Sequence, residues 1–483
     1  MTYSGSIIAA LLLGTIMLDL LVRPRPVRGT SRSLAGAVLM CCLALMLFGG
    51  FLALTGGMLV AAAMTLGLQA ALVVASNAKH VVLGEPLLFT DLALVGAIVR
   101  HPQFYWSAVP LWQRWVAAFA AAALLTLLAW LFVPDPLMHL AGLLLTGATA
   151  ALLSLVLRSA WMRDLAPVPD AAGDVARHGL QPTMLLHWRR WRSSTDPAAP
   201  APIAALGPDE PALIVIVQCE SFADPVDLFG DPALALPALT RARADAVQWG
   251  RLHVSGFGAY TMRSEYGVLW GREEEALGFR RYDPFLTAIR EAEHALPRRL
   301  SGWRSLFLHP HDLRFYNRHR IMPAGGFAEL LGPERFAAPQ SGRYVTDAAI
   351  ADTILQQAGA AAGPTLIYAV TIENHGPWAP EDGVAGGDLR QSYLRLVRRG
   401  DAMLAQLREG ISALRKPALL VFFGDHRPSI PGVTHPGGDR HTPYVMLRFD
   451  KDGQVQPGGS GAADLTPAGL HHAVLAQVSG SAD

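Results

Sequence analysis

Cysteine is scarce in this chain: only Cys41, Cys42 and Cys219 occur in 483 residues. That number rules out a disulfide framework. Cys41 and Cys42 sit inside an apolar run and Cys219 ends one, where a free thiol behaves as a small packing residue. Net charge is lacking too, at a formal +1, so nothing in the charge balance points to nucleic acid or another strongly charged polymer as partner. Lysine is limited to Lys79, Lys416 and Lys451, the basic residues being otherwise arginine, a bias that reads as codon usage. The first apolar run lacks a basic leader and a small-residue cleavage site, and further apolar runs follow it. A removable signal peptide is therefore not expected.

What the chain has is a sharp asymmetry between its halves. A membrane-crossing helix needs about 20 mainly apolar residues, and Gly5–Val22, Leu34–Leu54, Met58–Ser76, Val116–Val133 and Leu137–Leu157 each qualify as candidates. Residues 1–158 thus read as a transmembrane domain of about five spans. Asp19 lies near the end of the first, where it can reach the interface; an intramembrane carboxylate is otherwise a functional signal. Arg23, Arg25, Arg28 and Arg32 follow that span, and the positive-inside rule places them in the cytoplasm. Five full spans would then put the C-terminal half in the cytoplasm too. A single crossing over Leu34–Ser76, with a re-entrant piece at the Gly-rich Gly49–Gly57 stretch, would put it outside. Hydropathy alone leaves both open.

Residues 159–211 form a connector. Within it the run Leu185 to Arg192 mixes tryptophan with arginine, as an interfacial amphipathic helix would; a helix packed on the soluble domain reads the same way. Ser193–Pro211 has the composition of a semi-flexible linker.

From 212 to 483 short continuous apolar runs alternate with helix-like stretches, the pattern of an α/β domain with a mostly parallel central sheet. Buried strands are expected at Leu213–Cys219, Ser305–Leu308, Leu366–Ile372 and Ala418–Phe423, with a further strand at Tyr444–Phe449. Helices are expected at Thr346–Ala361, Ser392–Leu414 and Pro467–Val478.

The chemistry sits just past the strands. The first runs into Glu220-Ser221-Phe222, the second into His309-Pro310-His311, the third into Glu373-Asn374-His375, the fourth into Gly424-Asp425-His426. Open α/β sheets bind ligands at the carboxyl ends of their strands, so four runs deliver carboxylates or imidazoles to one edge. Carboxylates with an imidazole suit Mn²⁺, Mg²⁺ or Zn²⁺, and no cysteine cluster offers a structural zinc site. Adjacent Asp425 and His426 can both reach a metal where the chain turns, with Glu220 closing the site from another strand. Between the first two strands lies Gly256 to Gly267, whose Thr261 and Ser264 hydroxyls are candidate nucleophiles. Metal coordination can activate a threonine hydroxyl; the same Thr261 can simply cap a helix, and a helix N-terminus also favours a bound phosphate. Arg314, Arg318 and Arg320 add guanidinium groups suited to phosphate.

These motifs resemble the lipoteichoic acid synthase and phosphoglycerol transferase group of the alkaline phosphatase and sulfatase superfamily. The matching pieces are Glu-Ser-Phe at Glu220, Thr-x-x-Ser-Glu-aromatic at Thr261, His309 followed by Phe-Tyr-Asn-Arg at Phe315–Arg318, Asn-His-x-Pro at Asn374–Pro377 and Gly-Asp-His at Gly424–His426. They occur in the family's order, after a multi-span N-terminal region. The resemblance implies an α-helical membrane domain followed by a sulfatase-like domain facing the periplasm or cell exterior from the inner membrane. It implies one divalent metal, Mn²⁺ by preference, on Glu220, Thr261, Asp425 and His426. Thr261 would attack phosphatidylglycerol, and an envelope glycan would accept the group. Arg318 and His375 would hold phosphate oxygens, His375 also moving a proton, while His309, Tyr316 and Asn374 would line the substrate pocket. Tyr316 stands where one member of the family has tryptophan, which leaves headgroup selectivity open. Arg427-Pro428 after Gly-Asp-His, as in some Gram-negative relatives, points to a periplasmic glucan, capsule or other envelope saccharide as acceptor in place of a teichoic polymer. His441, after Arg440, is a further candidate ligand or phosphate contact. A phosphoethanolamine transferase, a phosphodiesterase or sulfatase-like hydrolase, and a catalytically silent membrane sensor are the alternatives; a sulfatase would need a modified Cys or Ser where Thr261 stands.

Overall fold

The computed structural model describes residues 2–26, 32–93, 111–200, 211–336, 344–378, 388–458 and 462–479. Arg28 and residues 201–210 of the expected linker lie outside them. The chain divides into two compact units, Met1–Ser194 and Thr195–Asp483.

The first unit contains α1 (Thr2–Leu20), α2 (Leu34–Thr55), α3 (Met58–Leu83), α4 (Leu111–Trp130), α5 (Pro136–Arg158), α6 (Ala171–His178) and α7 (Leu180–Arg192). Among the described residues three helices, α2, α3 and α5, are long and apolar enough to cross a membrane; the apolar part of α1, Ser4–Leu20, is shorter. The re-entrant alternative is not what forms. Gly56 takes a left-handed cap at φ 68°, Gly57 starts α3, and two full helices result. Gly56 is required there, since a Cβ would meet the Val133 carbonyl at 2.1 Å. The α2–α5 contact likewise depends on small residues: a Cβ on Gly142 would approach Ala53 N to 2.3 Å, the close backbone packing of helices in lipid. Asp19 does not reach out to solvent. It is buried, pairs with Arg32 at 2.9 Å and accepts the Leu180 N–H at 3.0 Å. The Trp/Arg run is α7, and Leu186 packs in a cluster with Ala35, Leu39 and Leu153 of its own unit. Arg190 donates to the carbonyls of Arg163 and Leu165.

The second unit is built on an eight-stranded sheet: β1 (Leu213–Cys219), β2 (Gln248–His253), β3 (Arg304–Leu308), β4 (Glu329–Leu331), β5 (Thr365–Val370), β6 (Ala418–Gly424), β7 (His441–Phe449) and β8 (Val455–Gln456). The order is β2-β7-β6-β1-β5-β3-β4, with β8 on β7. The sheet is mixed: β6-β1-β5-β3-β4 run parallel, while β2, β7 and β8 pair antiparallel. The central parallel strands β1, β5 and β6 are nearly continuous apolar runs, buried at every position, because both faces are covered. On one face Val215, Val217, Ile367 and Phe422 pack against Ile350, Ile354, Leu404 and Leu407, each buried side chain contributing roughly 1.5–3 kcal/mol. The helices used below are α8 (Thr261–Trp270), α9 (Arg318–Ala324), α10 (Asp347–Gly359), α11 (Leu389–Ala413) and α12 (Pro467–Ser479).

Candidate active site

β1 and β6 are adjacent and parallel, with Cys219 beside Gly424 in register. The next residues, Glu220, Asp425 and His426, therefore leave the sheet side by side. All three are buried, and one ligand atom from each lies within 4.8 Å of the others. His426 Nε2 is 3.6 Å from Glu220 Oε1 and 3.5 Å from Asp425 Oδ2. Thr261, the first residue of α8, brings its Oγ1 to 3.4 Å from His426 Nε2. Gly424 has to be glycine, since a Cβ would lie 1.8 Å from the Phe222 carbonyl oxygen.

The surrounding polar groups are fixed tightly. Asp425 Oδ1 accepts the N–H groups of Ser221 (2.8 Å) and His426 (2.9 Å), and Ser264 Oγ donates to the Asp425 carbonyl. The Glu220 N–H donates to Thr371 Oγ1, and Ser221 Oγ to Glu220 Oε1. Asp425 Oδ2, by contrast, is buried with no hydrogen-bond partner. Burial first, and then the Glu220 carboxylate, push the Asp425 carboxyl up to about 6. Burial disfavours the His426 imidazolium, yet the charges of Asp425 and Glu220 outweigh it and hold His426 above the ordinary histidine value. Two crowded carboxylates, an imidazole and an oxygen left bare form a donor set that a divalent cation satisfies. The residues present fit such an ion.

Backbone strain gathers at the same place. Of the six non-glycine residues with positive φ among the described residues, four are Ser221, Tyr260, Tyr316 and Asn317. Each directly follows or shortly precedes a candidate residue, Glu220, Thr261 or Arg318. Such conformations cost on the order of 1–3 kcal/mol each and persist where the surroundings over-determine them.

Arg318, at the start of α9, is buried and makes a two-point pair with Glu265 of α8, at 3.1 and 2.6 Å. Its Nη1 donates to His309 Nε2 at 3.1 Å, while His309 Nδ1–H donates to the Val370 carbonyl. Burial, then the Arg318 guanidinium, hold His309 well below its ordinary value, so the ring is neutral with its proton on Nδ1. Tyr316 lies under the Arg318 guanidinium at 5.3 Å, and burial raises its phenol. Glu265 is the partner that sequence reasoning passed over: it stands inside the Thr-x-x-Ser-Glu motif, but only the fold shows its two-point pair with Arg318.

The remaining candidates fall elsewhere. His375 is exposed, 5.8 Å from the Tyr344 ring; its Nδ1–H donates to the Gly376 carbonyl, so Nε2 is the nitrogen open to a proton. Asn374 is occupied at both ends, donating to the Ser221 carbonyl and accepting from Trp378 Nε1. It ties the end of β5 to the end of β1. His441 begins β7 and faces Asp227, Asp439 and Arg427, outside the Glu220–Asp425–His426 group.

Comparison with known proteins agrees with this architecture. The Sulfatase family model matches residues 212–475. The capsular polysaccharide biosynthesis protein RkpI of Rhizobium meliloti is 28% identical over 456 residues, covering 89% of this chain and 85% of that protein. A putative cyclic beta-1,2-glucan modification protein of the same organism is 25% identical over 400 residues; the match covers 74% of this chain and 62% of that protein's length. Among solved structures, the integral membrane lipooligosaccharide phosphoethanolamine transferase A of Neisseria meningitidis is similar over 98% of this chain and 95% of its own, with a TM-score of 0.54 at 11% identity. That likeness is one of fold.

Proposed function

Because the chain belongs to the sulfatase family, we propose that it is a membrane-anchored transferase that moves a phosphoglycerol group from phosphatidylglycerol to an envelope glycan through a covalent Thr261 intermediate. The observation that carries the reading is Thr261 Oγ1 at 3.4 Å from His426 Nε2, at the mouth of a buried carboxylate–imidazole group. Glu220, Asp425, His426 and Thr261 would hold one divalent ion, with Mn²⁺ the first choice. Such an ion polarises a phosphoryl oxygen and lowers the pKa of a coordinated hydroxyl.

The chain's own residues supply the rest. Thr261 Oγ forms a bond to phosphorus as the bond from phosphorus to the diacylglycerol oxygen breaks. The threonine proton passes to solvent and the departing oxygen takes one from His375 in its imidazolium form, so the exchange is neutral. His375 would deliver that proton from Nε2 and later take one back from the acceptor hydroxyl. That hydroxyl then attacks phosphorus and releases Thr261. Arg318, held in orientation by Glu265, keeps two donors for phosphate oxygens and stabilises the charge that develops on them. His309, neutral, and Tyr316 border the headgroup. The names of the two Rhizobium relatives support a saccharide acceptor. The domain containing residues 212–475 would face the periplasm, where lipid headgroup and glycan meet; residues 1–158 would anchor it.

The test is to incubate the full chain in membranes with labelled phosphatidylglycerol or phosphatidylethanolamine, following diacylglycerol release and intact mass. A phosphoglycerol adduct that disappears in Thr261→Ala is expected. Release from phosphatidylethanolamine alone would replace the donor assignment with phosphoethanolamine transfer. Full function in Thr261→Ala would make the protein a non-catalytic one.

A further inference from the structure

The second unit contains a cavity of about 520 Å³, within the rough 300–1,000 Å³ range of small-molecule sites; its wall includes His441, whose ring lies 3.0 Å from Arg427, the residue after His426. Its walls come from the end of β2, the flank of α8, the segment after α8, the loop before β7 and the start of α12. Arg263 and Gly267 of α8 line it, two and six residues beyond Thr261. At 1.5 Å rise and 3.6 residues per turn they sit about 3 and 9 Å along the helix and roughly 160° and 120° around it from the nucleophile, so the cavity opens on the far flank of α8 and an occupant reaches Thr261 past the N-terminal end of the helix.

The charge of the lining selects the ligand. Four guanidiniums face four carboxylates, and they are largely spent on each other or on the fold. Arg281 pairs with Glu274, and Arg272 with Glu291 at 2.7 Å. Arg440 donates to the Ser255 carbonyl, and Glu273 accepts from Thr466. An anionic headgroup or polyphosphate would need an excess of positive charge that this wall lacks. A hydrocarbon chain would leave the wall's charges without water. A neutral polyol meets both signs: its hydroxyls donate to carboxylates and accept from guanidiniums, while Leu277, Pro284 and Pro467 offer apolar surface to ring C–H groups.

We infer that this cavity is the acceptor subsite, taking a neutral oligosaccharide whose next hydroxyl reaches the Thr261 adduct. The inference rests on the transferase reading above and assigns His441, in the cavity wall, to acceptor binding. Exposed Glu275 and His253 are the residues to change, because truncating them disturbs no core.

The experiment separates the half-reactions in the full chain in detergent, with a neutral gluco-oligosaccharide as acceptor. In Glu275→Ala, His253→Ala and the rim-filling Glu275→Trp, the Thr261 adduct should form from phosphatidylglycerol at the wild-type rate. Transfer from it should fall about tenfold per lost charged hydrogen bond, mainly as a raised acceptor KM. Equal losses in both half-reactions, or none in either, would overturn the acceptor site. Should wild-type protein form no adduct, the transferase reading fails. Titration with the same oligosaccharide then decides the cavity alone: binding weakened by the variants upholds it, and absence of binding to wild type ends it.

Discussion

Two buried carboxylates, one in each unit, have opposite surroundings. Asp19 in α1 is matched on every side: Arg32 bonds its Oδ2, the Leu180 N–H bonds its Oδ1, and the guanidinium is completed by the carbonyls of Val175 and Ala176. Asp425 is also buried, yet its Oδ2 has no hydrogen-bond partner and only His426 Nε2 at 3.5 Å for a charge, a second carboxylate stands beside it, and strained Ser221 donates to its other oxygen. A folded chain normally satisfies buried polar atoms. Asp19 therefore reads as a tie within its helical unit, and Asp425 as a position kept ready for a charge from outside the chain.

The strongest way to break the contrast is at the second site. Thr261→Ala should remove adduct formation and lower turnover by about 10⁴-fold or more, as loss of a nucleophile does, while leaving the melting curve near wild type. Asp425→Asn should match that loss, since amide oxygen can still accept the Ser221 and His426 N–H groups but the anionic ligand is gone. It should also abolish a stabilisation by Mn²⁺ of about 2.7 kcal/mol at a hundredfold excess over Kd, measured as a thermal shift against a chelated sample. A full Mn²⁺ shift in Asp425→Asn would place the ion elsewhere.

Asp19→Ala should show the reverse pattern. It strands the Arg32 guanidinium in a buried pair whose side chains are 3% and 7% exposed, a change that costs about 3–5 kcal/mol. Thermal unfolding in detergent should move sharply down, while adduct formed per folded molecule stays at the wild-type level. A normal melt with reduced adduct would turn Asp19 into a functional residue.

This contrast also marks what was legible in the sequence. β1 is a seven-residue run, apolar but for Gln218 and buried at every position, so its start, its end and the Glu220 beyond it could be read directly. β5 and β6 were legible for the same reason, and with them the edge to which Glu220, Asp425 and His426 converge. β2 was not legible: Gln248–His253 alternates buried and exposed residues around a glycine, and it becomes a strand only by pairing with β7. Three-residue β4 and two-residue β8 are too short to carry a period. Side-chain partnerships between distant segments were also hidden. Glu265 and Arg318 are 53 positions apart, and no local pattern states that one orients the other. Asn374, in a motif that suggested substrate contact, is spent on bracing two strand ends.

The Glu265–Arg318 pair gives a smaller effect that sharpens the same comparison, because it is a buried ion pair that is satisfied and yet sits at the site. Arg318→Lys keeps the charge but loses the planar two-point contact. Turnover should fall roughly 10–100-fold, an expected loss of about 1.4–2.7 kcal/mol in transition-state stabilisation, with Mn²⁺ stabilisation retained. If the lysine variant turned over like wild type, Arg318 would act as a point charge and its orientation by Glu265 would be irrelevant.

The last effect, absent at neutral pH, concerns a buried titratable group that belongs to neither class. His471 in α12 is fully buried, shares Nδ1 with the Val268 carbonyl, and has its pKa lowered to about 3, chiefly by burial and then by neighbouring His472. Between that value and the ordinary 6.5 the unfolded chain binds a proton there and the folded chain does not. The derivative of unfolding free energy with pH is then positive, so this histidine removes stability as pH falls from 6.5 toward 3, by up to about 1.4 kcal/mol per pH unit. His471→Gln, which keeps a polar group of similar length without the titration, should flatten the acid limb of the melting temperature by that amount and leave adduct formation at neutral pH unchanged. An acid limb of unaltered slope would show that protonation elsewhere, such as at neutral and buried His309, governs acid unfolding. The polar groups of the site would then set its stability at low pH as well as its chemistry.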